Sequence, residues 1–318
     1  MRKFIFKSFC LIIPLFLFLF YLEYKLGKIQ NSYSFKRQHL EKQLDSIEVL
    51  VLGSSQVTYG INPEFFRLNG FNLSNISQSL YYDTRLTLNY IDKMPKLKYV
   101  IISISYFSFG FQTIDGIEAW RDYYYSQFWD INFPEIQCYD LKRYSKIFLY
   151  TPKMSLSYCK YGFNIHLIEN FKPNGYLWVD TANNKLNISD SLGCQRVLFH
   201  NTYYKDSRVA ENQKDLELLV SELKKRNVIP VLVTLPVFST YSKFADKSVL
   251  RKNNDYINYI CKKYACDYFN YFSDVRFVQG DFKDNDHLNF VGAQKFSKIV
   301  NDEILEKNKK TCQIKIHE

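Results

Sequence analysis

The sequence predicts an α/β fold, a three-layer α/β/α sandwich around a mainly parallel sheet, and three observations predict it. Ile47–Leu52 (IEVLVL), Leu97–Ser105 (LKYVIISIS) and Val228–Leu235 (VIPVLVTL) are short, nearly continuous apolar runs, the pattern of strands covered on both faces. Leu216, Leu219, Val220 and Leu223 recur at helical spacing immediately before the third run, as in a helix–strand unit. Gly53 and Pro236 end the first and third runs, and strands alternating with helices imply parallel pairing. In chain order, a second short strand is expected at Gly70–Asn75 and a helix across Gln78–Met94, where Leu80, Leu86, Tyr90 and Ile91 share a face. A helix over Val249–Tyr264, a strand within Cys266–Phe272 and a closing helix over Phe290–Leu305 complete the alternation.

Composition narrows the function classes. At 47% hydrophobic and 23% charged residues the chain has the means to bury a core. Its seven cysteines show no paired CxxC spacing, which argues against a zinc ribbon or a thioredoxin-type site; the odd count leaves at least one unpaired. The net charge is +10, but residues 1–45 carry eight basic against three acidic residues and so hold half of it. A nucleic-acid binder would more often concentrate that charge in its folded part, and no nucleic-acid partner is expected.

Arg2, Lys3 and Lys7 precede fifteen uncharged residues, Ser8–Leu22. As a helix, residues 4–24 would rise about 31 Å, close to the thickness of a bilayer core. The basic flank orients such a segment with its N-terminus in the cytoplasm and the remainder outside. EYKLGKIQ follows with no small-residue cleavage pattern, so an uncleaved anchor is preferred to a cleaved signal or a buried N-terminal helix. The expected organisation is an anchor at 1–25, a polar juxtamembrane stalk at 26–46, the α/β domain at 47–310, and a polar tail at 311–318. Within the domain, 111–200 breaks the strand–helix rhythm. It holds all three Trp residues and is read as an aromatic-rich insertion, a satellite core, a lid and sugar-stacking platform, or both.

Two stretches carry the chemistry. Gly53-Ser54-Ser55 follows the first strand, at the end where parallel sheets bind ligands. A Ser on such a turn exposes its hydroxyl beside backbone N–H groups, although most such serines only form turns. Asp284-Asn285-Asp286-His287 precedes the last helix. Its D-x-x-H spacing places a carboxylate against one imidazole nitrogen and leaves the other for a Ser, the arrangement that activates a nucleophile; the plain alternative is a loop that caps the helix. Arg196 and His200 are candidates for the substrate side, with structural roles as the alternative. His166 reads as a core or lid residue, and His39 and His317 fall in the stalk and tail. There is no HExxH, P-loop, GxGxxG or G-x-S-x-G, so no metal or cofactor is expected and the α/β-hydrolase elbow is absent.

Taken together, these stretches resemble the SGNH (GDSL-like) hydrolase superfamily over residues 47–110 and 211–305. More narrowly, FNLSNISQSLYYD, VLVTLPV and DHLNFVGA are similar to the membrane-anchored branch represented by alginate O-acetylation and D-alanyl transfer proteins. The resemblance implies a flavodoxin-like sandwich and a two-step acyl-enzyme route with Ser55 as nucleophile, His287 as general base and Asp284 as orienting acid. Asp286 is the alternative acid if the loop is shaped differently. Ser55 would supply one oxyanion donor through its N–H. The glycine of the family's second block has Ser77 or Gln78 in its place. The asparagine of the third block is missing from SISYFSFG, leaving only Tyr106 or Ser108 as stand-ins. The implied partners are a cell-surface polysaccharide or acyl-donor substrate, the bilayer, and a membrane-embedded acyltransferase. A non-catalytic envelope protein that binds glycan or an assembly partner is the competing expectation.

Overall fold

A computed structural model describes residues 2–163, 168, 170–179 and 188–306. His166, His317 and the tail at 311–318 lie outside the described residues. The elements in order are α1 (Arg2–Gly27), α2 (Ser32–Glu41), β1 (Val49–Leu52), α3 (Ser55–Gly60), β2 (Gly70–Asn72), α4 (Leu80–Tyr90), β3 (Tyr99–Ser103), α5 (Trp120–Trp129), α6 (Lys146–Leu149) and α7 (Pro152–Lys160). There follow α8 (Asp190–Tyr203), α9 (Asp206–Lys225), β4 (Ile229–Thr234), α10 (Ser239–Ser242), α11 (Lys247–Tyr264), β5 (Asp267–Asn270) and α12 (Phe290–Ile299). The last helix continues as a π-helical stretch, Val300–Leu305. The chain divides into two compact units, Met1–Phe35 with Trp120–Glu169, and Lys36–Ala119 with Asn170–Glu318.

The second unit is the α/β sandwich. Its five strands lie in the order β2-β1-β3-β4-β5 and every pair is parallel. Val49 faces Gly70 on one side and Tyr99 on the other, and Tyr99 in turn faces Ile229. β1, β2 and β3 are buried throughout, as strands covered on both faces must be. Because side chains alternate along a strand, Val49, Val51, Ile101, Val231 and Val233 form one face, clustered with Phe296, Val300 and Ile304 at the C-terminal end. Leu50, Leu52, Val100, Ile102 and Leu232 form the other and are equally buried. On α9 the predicted stripe Leu216, Leu219, Val220 and Leu223 is fully buried, and α9 packs on α4, α11 and β4. The order reverses between β1 and β3, so the carboxyl ends of these two strands flank the crevice where ligands bind in such sheets.

The first unit is helical and aromatic. Tyr33 lies 5.2 Å from the Tyr124 ring and 5.0 Å from Tyr125, and Tyr150 stacks edge-on to Tyr158 at 5.2 Å. The Glu23 carboxylate accepts from Ser145 Oγ–H and from the N–H groups of Lys146 and Ile147, tying α1 to the start of α6. The aromatic stretch 111–200 is therefore divided. Tyr124, Tyr125 and Trp129 are buried in the helical unit, whereas 111–119, 170–179 and 188–200 belong with the sheet. The expected stalk at 26–46 contains the helix α2 and several buried side chains. Leu26, Ile29 and Tyr33 are buried in the first unit; in the second, Leu40 is buried and so is Lys36, whose Nζ donates to the carbonyls of Asn72 and Ser74. Among the described residues no helix is long and apolar enough to cross a membrane. Phe4, Phe6, Phe16 and Phe20 of α1 are about three-quarters exposed (69–75%).

Candidate functional site

The turn after β1 explains the glycine. Gly53 has φ +141°, and a Cβ there would meet Val57 Cγ2 at 2.7 Å and Ser103 Cβ at 2.8 Å. The chain can therefore leave β1 sharply and start α3 at once, with Ser54 at the N-cap position and Ser55 first in the helix. Ser54 makes no side-chain cap bond; its carbonyl receives the N–H groups of Val57 and Thr58. Asn72, at the end of β2, donates its amide to the carbonyls of Val57 (3.0 Å) and Ile61 (2.7 Å), fixing α3 against the sheet.

Before α12, the turn 284–287 is built around one carboxylate. Asp284 Oδ1 accepts the N–H of Asp286 at 3.1 Å and of His287 at 2.9 Å, and the same oxygen lies 2.9 Å from His287 Nδ1. Burial pushes the Asp284 carboxyl up. The imidazole's charge and hydrogen bond, Lys283 and the Asp286 N–H outweigh it and hold the group below the usual carboxylate range. An ionised Asp284 favours the proton on Nδ1, and in that neutral tautomer Nε2 is the accepting nitrogen. Ser55 Oγ lies 2.8 Å from it and donates. Helix capping, the plainer role for this loop, falls to Asn289, whose Oδ1 accepts from Gly292 N–H at 3.0 Å. Asp284 and His287 are thereby left for Ser55.

The structure thus brings Ser55, His287 and Asp284 into one hydrogen-bonded row. Asp286 takes another direction: it is 1% exposed and binds Arg196 Nε at 2.9 Å, with its nearer oxygen 3.4 Å from His287 Nδ1. Asp284, Asp286 and His287 offer ligand atoms within 4.8 Å of one another, but Arg196 already supplies the positive charge at Asp286. His200 stacks on Phe107 at 4.2 Å, and its Nδ1 lies 2.6 Å from Tyr241 Oη. Burial, reinforced by Arg196, pushes the His200 pKa well below the usual imidazole value.

A cavity of about 190 Å³ opens on Ser55 and His287. Both substrate-side candidates, Arg196 and His200, line it, and so does Ser77. Gln78 does not; its amide donates to Asp83 Oδ1 at 2.6 Å and to the Leu73 carbonyl, so it is turned into the core. Neither third-block stand-in reaches the cavity. Tyr106 Oη donates to Asn201, and Ser108 Oγ receives the Ser105 N–H. The backbone N–H groups of Ser55 and Ser77 have no acceptor among the described residues.

Sequence reasoning passed over three residues at this site. Tyr59 meets His287 edge-on at 5.3 Å, and Lys283 Nζ sits 3.6 Å above the Tyr59 ring. Tyr59 stands one helical turn after Ser55, a spacing that would have flagged it. Glu118 accepts from Ser77 Oγ at 2.7 Å at the cavity wall, from a loop with no pattern to betray it.

No protein-family model matches the chain, and none of the curated proteins does. A solved structure from Streptococcus pneumonia, provisionally described as a platelet activating factor, is similar at a TM-score of 0.43 and 12% identity, over 92% of this chain and 98% of that one. A likeness at that level carries no argument about fold or activity.

Proposed function

We propose that the protein is an SGNH-like serine esterase or O-acyltransferase, anchored in a membrane and working on a cell-surface polysaccharide outside the cytoplasm. The observation that carries this reading is the row Ser55 Oγ, His287 Nε2 and Nδ1, Asp284 Oδ1, with links of 2.8 and 2.9 Å. In the first step Ser55 Oγ attacks the ester carbonyl while its proton moves to Nε2. Asp284 balances the imidazolium, and the unpartnered N–H groups of Ser55 and Ser77 receive the developing oxyanion. Collapse expels the donor alcohol, which takes the proton from Nε2 and leaves an acyl ester on Ser55. A sugar hydroxyl or water then gives its proton to Nε2 and attacks that ester, and collapse returns the proton to Ser55. The chemistry needs no metal or cofactor.

The anchor reading is supported by the uncharged run Ser8–Leu22, its basic N-terminal flank and the exposed phenylalanines of α1. The polysaccharide and a membrane-embedded acyltransferase as supplier rest on the sequence resemblance. A fluorophosphonate probe on the full chain is expected to label Ser55, and the labelled protein is expected to lose acetyl-ester turnover. Folded protein that stays unlabelled would favour the second reading, a scaffold that binds glycan or a partner without catalysis. That reading has one observation behind it: no side-chain amide reaches the cavity from the end of β3, where the resembling family places its asparagine. A C-terminal reporter active outside the cytoplasm checks the topology.

A further inference from the structure

We propose that Glu118 and Thr113 are positioning residues that hold Ser77 in a left-handed backbone conformation, so that its N–H is presented beside Ser55. The proposal deepens the acyl-transfer reading and rests on it. Ser77 has φ +56°, a region that side chains other than Gly, Asn and Asp adopt only when their surroundings impose it. Two contacts impose it here. Thr113 Oγ1 donates to the Ser77 carbonyl at 2.8 Å, and Ser77 Oγ donates to Glu118 Oε2 at 2.7 Å. With carbonyl and hydroxyl both held, the N–H is the one polar group of Ser77 without a partner among the described residues.

The loop that supplies both contacts is itself fixed. Asp115 is paired with Lys205 at 2.7 Å and with Arg208 at 2.8 Å, and Gln112 donates to Asn212 Oδ1 at 2.8 Å. The Lys205 N–H closes on the Gly110 carbonyl at 2.8 Å. Thr113 is 1% exposed, so its hydroxyl has no water to turn to. On the far side of Ser77 the turn is pinned through Gln78 N–H to the Asn75 carbonyl and Asn75 N–H to the Gly53 carbonyl. Ser77 and Ser55 are thereby referred to the same glycine.

The test is steady-state hydrolysis of 4-nitrophenyl acetate by the full chain. Glu118→Ala is expected to lower kcat about tenfold and leave KM within about twofold, since it releases a group needed only as the oxyanion forms. In a Ser77→Gly background the same change is expected to cost little further, because glycine takes positive φ unaided. Thr113→Val, which keeps shape and removes the hydroxyl, is expected to act in the same direction. Its thermal melt shows whether the effect comes from lost folding. An active wild type with Glu118→Ala at wild-type kcat overturns the clamp alone, as does a Glu118→Ala loss that is undiminished in the Ser77→Gly background. A folded wild type that neither turns over ester nor labels at Ser55 overturns the acyl-transfer reading, and the clamp falls with it.

Discussion

The two sides of the cavity are held by different means. On the His287 side the polar groups come from four consecutive residues, and one carboxylate organises them by accepting two N–H groups and the imidazole. On the Ser77 side the contacts come from 36 and 41 positions away, through Thr113 and Glu118. A short turn stores its geometry in local hydrogen bonds and survives as a pattern of residue types. A wall assembled from distant loops has no such pattern, because loop closure can bring almost any sequence separation together at a cost that grows slowly with length.

The largest expected effect tests what the two sides share. Ser55→Ala removes the hydroxyl that both would serve, and loss of a triad nucleophile costs about 10⁶ in rate in a serine protease. The buried His287 Nε2 loses its partner, which costs about 1–3 kcal/mol of stability, so acetyl-ester turnover is expected to vanish while the protein still folds and melts cooperatively. His287→Ala in the same chain is expected to add almost nothing. Wild-type turnover by Ser55→Ala would leave the site without its centre.

The next effect separates the two acids of the 284–287 turn. Asp284→Asn leaves the shape and disturbs the imidazole tautomer, which costs about 10⁴ in kcat where such an acid has been replaced. Arg196→Met instead leaves buried Asp286 without its cation, and breaking a buried pair costs about 3–5 kcal/mol of stability. Ester turnover is expected to fall more in Asp284→Asn, and denaturant melts are expected to show the larger loss of stability in Arg196→Met. An Arg196→Met protein as stable as wild type would mean that Asp286 finds other compensation.

A third effect is a pH dependence beneath the Ser77 side. Asp83 accepts from Gly53 N–H at 3.1 Å and from Gln78, yet burial outweighs both and raises its pKa from 3.8 to about 7. A carboxyl protonated more readily in the folded chain than in the unfolded one makes its full contribution to stability below the unfolded value. That contribution is lost as pH rises through the folded one. Between pH 3.8 and about 7 the wild type is expected to lose stability relative to Asp83→Asn, with the difference levelling off above that range. Parallel stability curves for the two proteins would show that Asp83 does not titrate in this way.

Residues that depend on their neighbours along the chain were legible in advance. β1, β3 and β4 were announced by unbroken apolar runs, and the buried face of α9 by four residues at helical spacing. Ser55 was marked by following Gly53, and Asp284 and His287 by a separation of three. The choice of Asp284 over Asp286 was not legible, since either carboxylate is close enough in sequence. The backbone N–H groups accepted by Asp284 and the guanidinium of Arg196 from α8 decide it. Gln78 was a candidate with Ser77 because both fall near the place of the second-block glycine in the resembling family. The turn at positive φ sends the two side chains apart, one to the cavity and one to Asp83.

The sequence by itself determined the alternation of strands and helices and the chemical identity of the Ser–His–Asp row. Apolar periodicity and D-x-x-H spacing are properties of neighbouring residues. Only the tertiary structure decided which acid meets the imidazole and which N–H groups at the cavity lack an acceptor among the described residues. Those outcomes depend on hydrogen bonds and charges delivered by α8 and by the loop before α5. Where such groups arrive is set by how the whole chain packs.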